Sequence, residues 1–343
     1  MPETKNPFKI VDNSNIIIGG FGYFIGKDHG RLIVKERGEL VAQFPLTEVD
    51  NVIVTSRGIN ISSSLIDELC RRGAKLCFWT GGFPNVMITS ARLSAFVEAK
   101  RAQFDAYNTS TGLILSKEII RSKIHNQAAF LKYASKNLSS FEINRIIETT
   151  GKMESLRERV TEVSASKIDS ARNELLLIEA NAASLYWRAF QKLLKIETGF
   201  KGRNPIESDP LNIMFNYGYS IVYSLVWMCI LNAGLEPFAG FLHTDRPGKP
   251  SLVYDLSDPF KQRLVDKVVL AIANRGRAIS VSNRLLSDES RKLLSTSILS
   301  ELNKKDDYAG KKLTMHSIIQ KNIYSVVNQL KSTTKYEPYN MKW

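Results

Sequence analysis

Glu179 is a carboxylate within an apolar helical stripe, which makes it a candidate for chemistry. The hydrophobic period of residues 168–196 predicts a long helix. At about 100° per residue, six apolar side chains fall within about 60° of Glu179, namely Leu175, Ala182, Ala183, Tyr186, Phe190 and Leu193. Burial of an unpaired carboxylate costs several kcal/mol, so a cation must neutralise Glu179. An Arg or Lys from a neighbouring helix would serve, and so would a metal ion.

A histidine and two aspartates follow in a stretch rich in turn residues. Asp255 and Asp258 come 12 and 15 residues after His243. With Glu179, these residues offer oxygen and nitrogen donors without a thiolate, a set that suits Mn²⁺ or Mg²⁺ better than structural zinc. Such an ion leaves positions for water and phosphate oxygens, as metal-assisted phosphodiester chemistry requires. The alternatives are that Asp258 only caps a helix before Pro259 and that His243 only forms hydrogen bonds.

The charge of the chain suggests a polyanionic partner. Its net charge is +13, and residues 261–343 alone carry 16 basic and 7 acidic side chains. Residues 179–260, which hold the candidate site, carry 7 basic and 8 acidic side chains. Basic regions beside a slightly acidic block are typical of a nucleic-acid-binding surface around a carboxylate site. A lysine-rich, solvated tail is the alternative.

Four residues near the candidate site are candidates for DNA contacts. Arg203, Arg246 and Lys249 lie close to it in sequence and could bind phosphates, although each could equally be a solvated surface cation. Tyr217 could stack on an unpaired base. We favour core packing for Tyr217, because it lies on a strongly apolar segment.

The first ninety residues predict a β-rich domain with one short helix. Short β-branched and aromatic runs at 15–18, 23–25, 31–35, 40–44 and 51–55 alternate with turn signals, which is typical of antiparallel hairpins. Ser62 or Ser63 can then cap a helix that Gly73 ends. We expect residues 1–90 to form this domain, with its exposed strand edges as candidate dimer contacts.

From residue 91 onward the helical period dominates, so the expected fold class is α+β with an all-α C-terminal catalytic domain, residues 91–343. Helices are predicted over 110–131, 142–163, 168–196, 210–233 and 258–273. Asp209-Pro210 and Asp258-Pro259 both read as an N-cap followed by a proline, and Gly234 suits the end of a helix. Residues 236–257 read as a loop, and the tail after Tyr336 is expected to fray.

Cysteines and apolar runs indicate a cytoplasmic protein without a membrane segment. Cys70, Cys77 and Cys229 lack both a closed disulfide set and zinc-ligand spacing, as expected in a reducing compartment. The N-terminus has no apolar core of a secretory signal. The apolar run 219–231 is shorter than the roughly 20 residues that span a bilayer, so we expect a core helix.

A long series of motifs, spread over about residues 15 to 290, resembles a single known family. The motifs are Arg203-Asn204-Pro205, Asp209-Pro210-Leu211-Asn212, Asn216-Tyr217-Gly218-Tyr219, Ala233-Gly234-Leu235-Glu236-Pro237, Gly240-Phe241-Leu242-His243, Asp245-Arg246-Pro247-Gly248 and Ser251-Leu252-Val253-Tyr254-Asp255-Leu256. Upstream, Glu179-Ala180 with Ala182-Ala183 and Tyr186 is similar to that family's helix with its metal-binding glutamate, and Ser62-Ser63-Ser64-Leu65 is similar to its β domain. The family that the chain resembles is the CRISPR-associated adaptation endonuclease/integrase, family one of the Cas proteins.

The resemblance implies a homodimer that pairs with the small family-two Cas protein and inserts short DNA segments into a CRISPR array. It implies Mg²⁺ or Mn²⁺ bound by Glu179, His243 and Asp258, with Asp255 as an additional acidic catalytic position. Its DNA would be double-stranded, branched or with single-stranded 3′ ends. The chain departs from the family pattern after the second acidic position, where it has Asp258-Pro259-Phe260-Lys261. Alternatives are a non-catalytic nucleic-acid scaffold and a nuclease selective for branched DNA.

Overall fold

The computed structural model describes residues 8–12, 15–80, 83–90, 97–276 and 279–342. The chain divides between residues 94 and 95 into two units, an N-terminal unit of strands and a C-terminal unit of helices. The cysteines at positions 70, 77 and 229 form no disulfide bond with one another.

The N-terminal unit contains two sheets and one helix. Its strands are β1 (Phe8–Asp12), β2 (Asn15–Ile18), β3 (Tyr23–Asp28), β4 (Arg31–Glu36), β5 (Glu39–Pro45), β6 (Asn51–Val54), β7 (Asn60–Ile61), β8 (Lys75–Thr80) and β9 (Phe83–Ile88). One sheet has the order β1-β2-β6-β8-β9 and the other β5-β4-β3-β7. Helix α1 (Ser63–Arg71) begins at the predicted cap, where the Ser62 hydroxyl accepts from the Leu65 amide, and Gly73 follows it at φ 76°.

The prediction of purely antiparallel strands is wrong. Strand β2 pairs with β6, β6 with β8, and β3 with β7, all in parallel. The chain passes from β6 to β8 through α1, and such a crossover returns the strand in the same direction. Hairpin signals describe only neighbouring strands, so they reveal β3–β4–β5 and β8–β9 but not these longer-range pairs.

The C-terminal unit is built from nine α-helices in its described residues. These are α2 (Val97–Tyr107), α3 (Ser110–Ala134), α4 (Ser140–Glu162), α5 (Ile168–Lys192), α6 (Pro210–Asn232), α7 (Ser251–Ser257), α8 (Lys267–Asn274), α9 (Asp288–Leu302) and α10 (Met315–Leu330). The prediction of an all-α domain is wrong in one respect, because two short hairpins occur. They join β10 (Val281–Ser282) to β11 (Leu285–Leu286) and β12 (Lys305–Tyr308) to β13 (Lys311–Thr314).

Helix α6 is the central apolar helix of this unit. Asp209 caps it by accepting from the Asn212 amide, and Gly234 follows it at φ 75°, as predicted. Among the described helices it alone is long and apolar enough to cross a bilayer, yet 61% of that stretch is buried inside the protein. Burial of this kind is typical of a core helix.

The helix predicted over 258–273 begins earlier and is irregular. Helix α7 starts at Ser251 and passes into a 3₁₀ turn at Asp258–Phe260, a π segment at Gln262–Asp266 and then α8. Asp258 has helical angles, φ −55° and ψ −41°, so the prediction of an N-cap there is wrong. Pro259 has no N–H for a regular α-helical bond, which explains why the hydrogen-bond pattern changes at this point.

The prediction of a frayed tail is also wrong. Tyr336, Tyr339 and Met341 are buried in the C-terminal unit at 6%, 0% and 4% exposure. These spaced apolar side chains anchor a segment that has no regular secondary structure.

Candidate active site

Two of the predicted carboxylates meet at one cation. Glu179 lies on α5, Asp258 lies in the 3₁₀ turn, and Lys123 reaches both from α3. The Lys123 Nζ lies 2.8 Å from Asp258 Oδ2 and also donates to Glu179 Oε1. The side chains of Lys123, Asp258 and Glu179 are 15%, 2% and 13% exposed. A lysine from a neighbouring helix, one of the two alternatives left open by the sequence, therefore neutralises Glu179 here.

A second lysine holds the other oxygen of Asp258. Lys261 Nζ lies 2.5 Å from Asp258 Oδ1. The same ammonium makes cation–π contacts with the rings of Tyr219 and Tyr223, whose centroids lie 5.1 and 5.0 Å away. Burial raises the pKa of Asp258, but the charges of Lys123 and Lys261 outweigh burial and hold that pKa well below its usual range. Asp258 is thus a buried, ionised carboxylate.

Asp255 orients His243. The Asp255 carboxylate is fully buried and accepts from the amides of Phe241, Leu242 and His243 at 2.7, 3.0 and 3.0 Å. His243 Nδ1 lies 2.6 Å from Asp255 Oδ1, so it donates its proton there, which leaves Nε2 as an acceptor. Burial lowers the pKa of His243, but the hydrogen bond to Asp255 and its charge outweigh burial and raise that pKa.

The chemistry of this donor set fits Mg²⁺ or Mn²⁺. Two carboxylates from different helical segments converge on a cation, and the charges of Asp258 and Lys123 act on the nearby His243 imidazole. The described residues hold no group of three acidic, histidine or cysteine side chains close enough to bind an ion as they stand. The Lys123 ammonium lies between Glu179 and Asp258 and balances the charge that an ion would balance. Asp255 already accepts four hydrogen bonds, which disfavours direct binding of an ion by its carboxylate.

A buried network supports the site from behind. The Tyr186 hydroxyl on α5 and the Tyr219 hydroxyl on α6 each donate to Asp266 at 2.7 Å. Asp266 ends the π segment and is fully buried, so burial raises its pKa. This network connects α5, α6 and the segment that carries Asp258.

The four predicted DNA-contact residues fall into two groups. Arg203 bonds Asn212 and Asn216 at 3.0 and 2.6 Å and lies over the Tyr219 ring, so it is tied to α6. Tyr217 is half-buried and packs against the core, in line with the interpretation we favoured. Arg246 and Lys249 are exposed at the two ends of a tight turn, in which Gly248 has φ 73°.

Sequence reasoning missed Lys123 and Lys261. Lys123 lies on the same side of α3 as the buried Ile119 and Ile120, four and three residues earlier, and a lysine at such a position needs a buried acid. Lys261 follows Asp258 by three residues, which is the spacing of an ion pair on one helical face. Both signals were readable, but neither identified which acid would be the partner.

The chain thus combines an N-terminal unit of strands with a helical unit that carries an acidic and imidazole cluster. The family model described as CRISPR associated protein Cas1 matches residues 16–299. A CRISPR-associated endonuclease Cas1 from Francisella tularensis subsp. novicida is 31% identical over 331 residues, 96% of this chain and 99% of that protein. One from Archaeoglobus fulgidus is 31% identical over 344 residues, with the same coverage. The chain belongs to the Cas1 family.

Solved structures agree with this fold. A casposase bound to integration product has a TM-score of 0.72 at 22% identity and covers 95% of this chain and 92% of that one. A Cas1 protein from Thermotoga maritima has a TM-score of 0.69 at 18% identity, with coverages of 94% and 99%. A chain of a Cas6-RT-Cas1–Cas2 complex has a TM-score of 0.73 at 18% identity. The match covers 97% of this chain and 36% of that longer chain.

Proposed function

We propose that this chain is a divalent-metal-dependent DNA endonuclease and integrase of CRISPR adaptation, which inserts short DNA segments into a CRISPR array. Family membership across nearly the whole chain supports the activity. The observation that carries the mechanism is the convergence of Glu179 and Asp258, from separate helical segments, on one cation beside His243. Glu179, His243 and Asp258 would hold Mg²⁺ or Mn²⁺.

The residues of the chain have distinct roles in this proposal. A bound ion would supply Lewis acidity at the scissile phosphate and at the leaving oxygen. Asp255 fixes the imidazole of His243 with Nε2 as an acceptor, and Lys261 keeps Asp258 ionised in its buried position. The nucleophile would be a DNA 3′-hydroxyl in integration or water in cleavage.

Partners are proposed from the surface and from the relatives. The exposed turn with Arg246 and Lys249 would contact DNA phosphates, because the described residues provide neither side chain with an ion-pair partner. In the N-terminal unit, Phe24 of β3 and Leu40 of β5 are 40% and 53% exposed, and both are strand-pairing partners of Lys35 on β4. Residues paired in this way lie on one side of the sheet, so that side would offer apolar contacts for a homodimer. A partner of the Cas2 type is proposed from the Cas1–Cas2 complex.

The activity is tested by His243→Ala in a strand-transfer assay with labelled DNA and Mn²⁺. We expect a loss on the order of a hundredfold, because one of three proposed ligands disappears. His29→Ala is the matched control, since His29 also pairs with an aspartate but its side chain is 93% exposed. Full activity of His243→Ala, or wild-type activity that persists in chelator, would contradict the metal mechanism.

Separation of joined from hydrolysed products distinguishes an integrase from a nuclease on branched DNA, and DNA binding without either product would indicate a scaffold.

Asp255→Asn tests the orientation of His243. An asparagine has one acceptor oxygen, so it cannot accept the hydrogen bonds that reach both oxygens of the carboxylate, from His243 Nδ1 and amide at one and from two further backbone amides at the other. We expect the catalytic rate and the apparent Mn²⁺ affinity to fall about 10- to 100-fold. Asp245→Asn serves as the control, because Asp245 is exposed and accepts one hydrogen bond, from Ser251 at 2.8 Å. Equal behaviour of the two variants would remove Asp255 from the mechanism.

A further inference from the structure

The segment after α10 forms a buried strap, residues 336–341, over the helical unit. Its side chains at Tyr336, Tyr339 and Met341 are all inside the protein. Its backbone is held by side chains of two different helices. Ser122 and Asn126 of α3 bind the carbonyl of Tyr339, at 2.5 and 2.9 Å, while Asn322 of α10 donates to the carbonyl of Glu337 at 2.7 Å. The strap is therefore a packed element with hydrogen-bond partners at both ends.

Asn126 joins this strap to the segment that carries Asp258. Its Nδ2 donates to the Pro259 carbonyl at 2.6 Å and to the Tyr339 carbonyl at 2.9 Å. Its Oδ1 accepts from the Met341 amide at 2.7 Å. Asn126 is completely buried, so these bonds satisfy an amide that would otherwise be costly in the core.

A second contact of the strap reaches the same segment. The Tyr339 ring stacks on Phe260 with 5.5 Å between centroids and an interplanar angle of 18°. The Tyr339 hydroxyl donates to Asp306 at 2.8 Å, and Arg263 Nε donates to the same Asp306 oxygen at 3.1 Å. The strap thus touches the segment after Asp258 directly by ring stacking, and it is linked to that segment indirectly through Asn126 and through the Asp306 carboxylate.

The segment needs such support because its helical geometry changes within a few residues. The 3₁₀ turn Asp258–Phe260 gives way to the π segment Gln262–Asp266, and Pro259 has no N–H to donate. Where the 3₁₀ turn passes into the π segment, the Asn126 side chain donates a hydrogen bond to the Pro259 carbonyl. Lys123, three residues earlier on α3, binds the Asp258 carboxylate itself. Helix α3 therefore holds Asp258 in two ways, by the ion pair from Lys123 to its carboxylate and by the hydrogen bond from the Asn126 amide to the next residue.

We propose that Asn126, held by the Tyr339 carbonyl and the Met341 amide, is a positioning residue for the Asp258 carboxylate. This inference rests on the proposed function, in which Asp258 is a metal ligand. Asn126 does not touch substrate or metal. It acts through the backbone of Pro259, so its loss changes where the Asp258 carboxylate is held and leaves the DNA-contact surface intact.

Asn126→Ala tests this role against Asn322→Ala, a matched loss of a buried amide. Asn322 is equally buried and holds the same strap, but its bonds go to Glu337 and Tyr336 and none reaches Pro259. In metal-free protein, we expect hydrogen exchange of the slowly exchanging amides of residues 260–266 to be about tenfold faster in Asn126→Ala and unchanged in Asn322→Ala. Asn126→Ser replaces the alanine variant if that variant does not fold, with the same expectation.

Metal binding and kinetics complete the test. For Asn126→Ala we expect a rise of about tenfold in the apparent Mn²⁺ dissociation constant from calorimetry and a matching fall in kcat, with KM for DNA unchanged. Asn322→Ala should lower the unfolding temperature without either change. Equal effects of the two variants on exchange would overturn the inference. If the wild type neither binds Mn²⁺ nor processes DNA, the proposed function fails, while the exchange result still decides whether Asn126 holds the Asp258 segment.

Discussion

Asp258→Ala is expected to abolish metal-dependent strand transfer, with a loss on the order of a thousandfold, and to destabilise the protein. A metal-bound phosphate is worth several kcal/mol of transition-state stabilisation, which corresponds to about three decades in rate. The same change leaves Lys123 with Glu179 alone and Lys261 with no carboxylate among its described contacts. Removing one partner of a buried ion pair costs about 3–5 kcal/mol, so we expect the free energy of unfolding in denaturant to fall by that amount.

Two comparisons separate the roles of Asp258. Asp307→Ala removes an aspartate that pairs with two lysines, Lys312 and Lys342, on the surface, and its stability and activity should stay close to wild type. Asp258→Asn keeps the shape and should recover part of the stability without recovering activity, because a neutral amide is a poor ligand for a hard cation. Appreciable activity of Asp258→Asn would argue against Asp258 as a metal ligand.

Local signals in the sequence predicted those parts of the fold that local physics controls. The bounds of α3 and α4 follow from helical periodicity, and both ends of α6 follow from Asp209, which caps its start, and Gly234. The same reasoning placed Glu179 on a buried helical face and required a cation there. It could not choose between lysine and metal, because the partner comes from α3, 56 residues away in sequence.

The parts that could not be predicted depend on distant contacts. Asp258-Pro259 has the same local pattern as Asp209-Pro210, yet only Asp209 is a cap. Asp258 instead binds Lys123 and Lys261, and tertiary ion pairs override the local preference for capping. A chain end is expected to fray, but Tyr339 contacts Phe260 and Asp306, which lie far from it in sequence.

Lys123→Met is expected to make the stability of the protein depend strongly on a divalent ion. Methionine has a similar length and fills the space, but it leaves Glu179 without the cation that binds it in the described structure. A buried carboxylate that loses its partner costs about 3–5 kcal/mol, so the variant should be much less stable than wild type in chelator. Mn²⁺ at about 100 times its dissociation constant should return about 2.7 kcal/mol of stability, because it binds only the folded state. Thermal unfolding in chelator and in a Mn²⁺ series measures both effects.

The comparison with wild type decides what Lys123 does at this site. In wild type the Lys123 ammonium already balances the negative charges of Glu179 and Asp258. The same Mn²⁺ series should therefore raise the unfolding temperature of wild type by less than it raises the unfolding temperature of Lys123→Met. Lys152→Met is the matched control, because Lys152 pairs with Glu148 on an exposed face of α4 and its loss should change neither quantity. If Lys123→Met is as stable as wild type in chelator and gains no more from Mn²⁺, then Glu179 and Asp258 do not share a cation site, and the metal mechanism loses its structural basis.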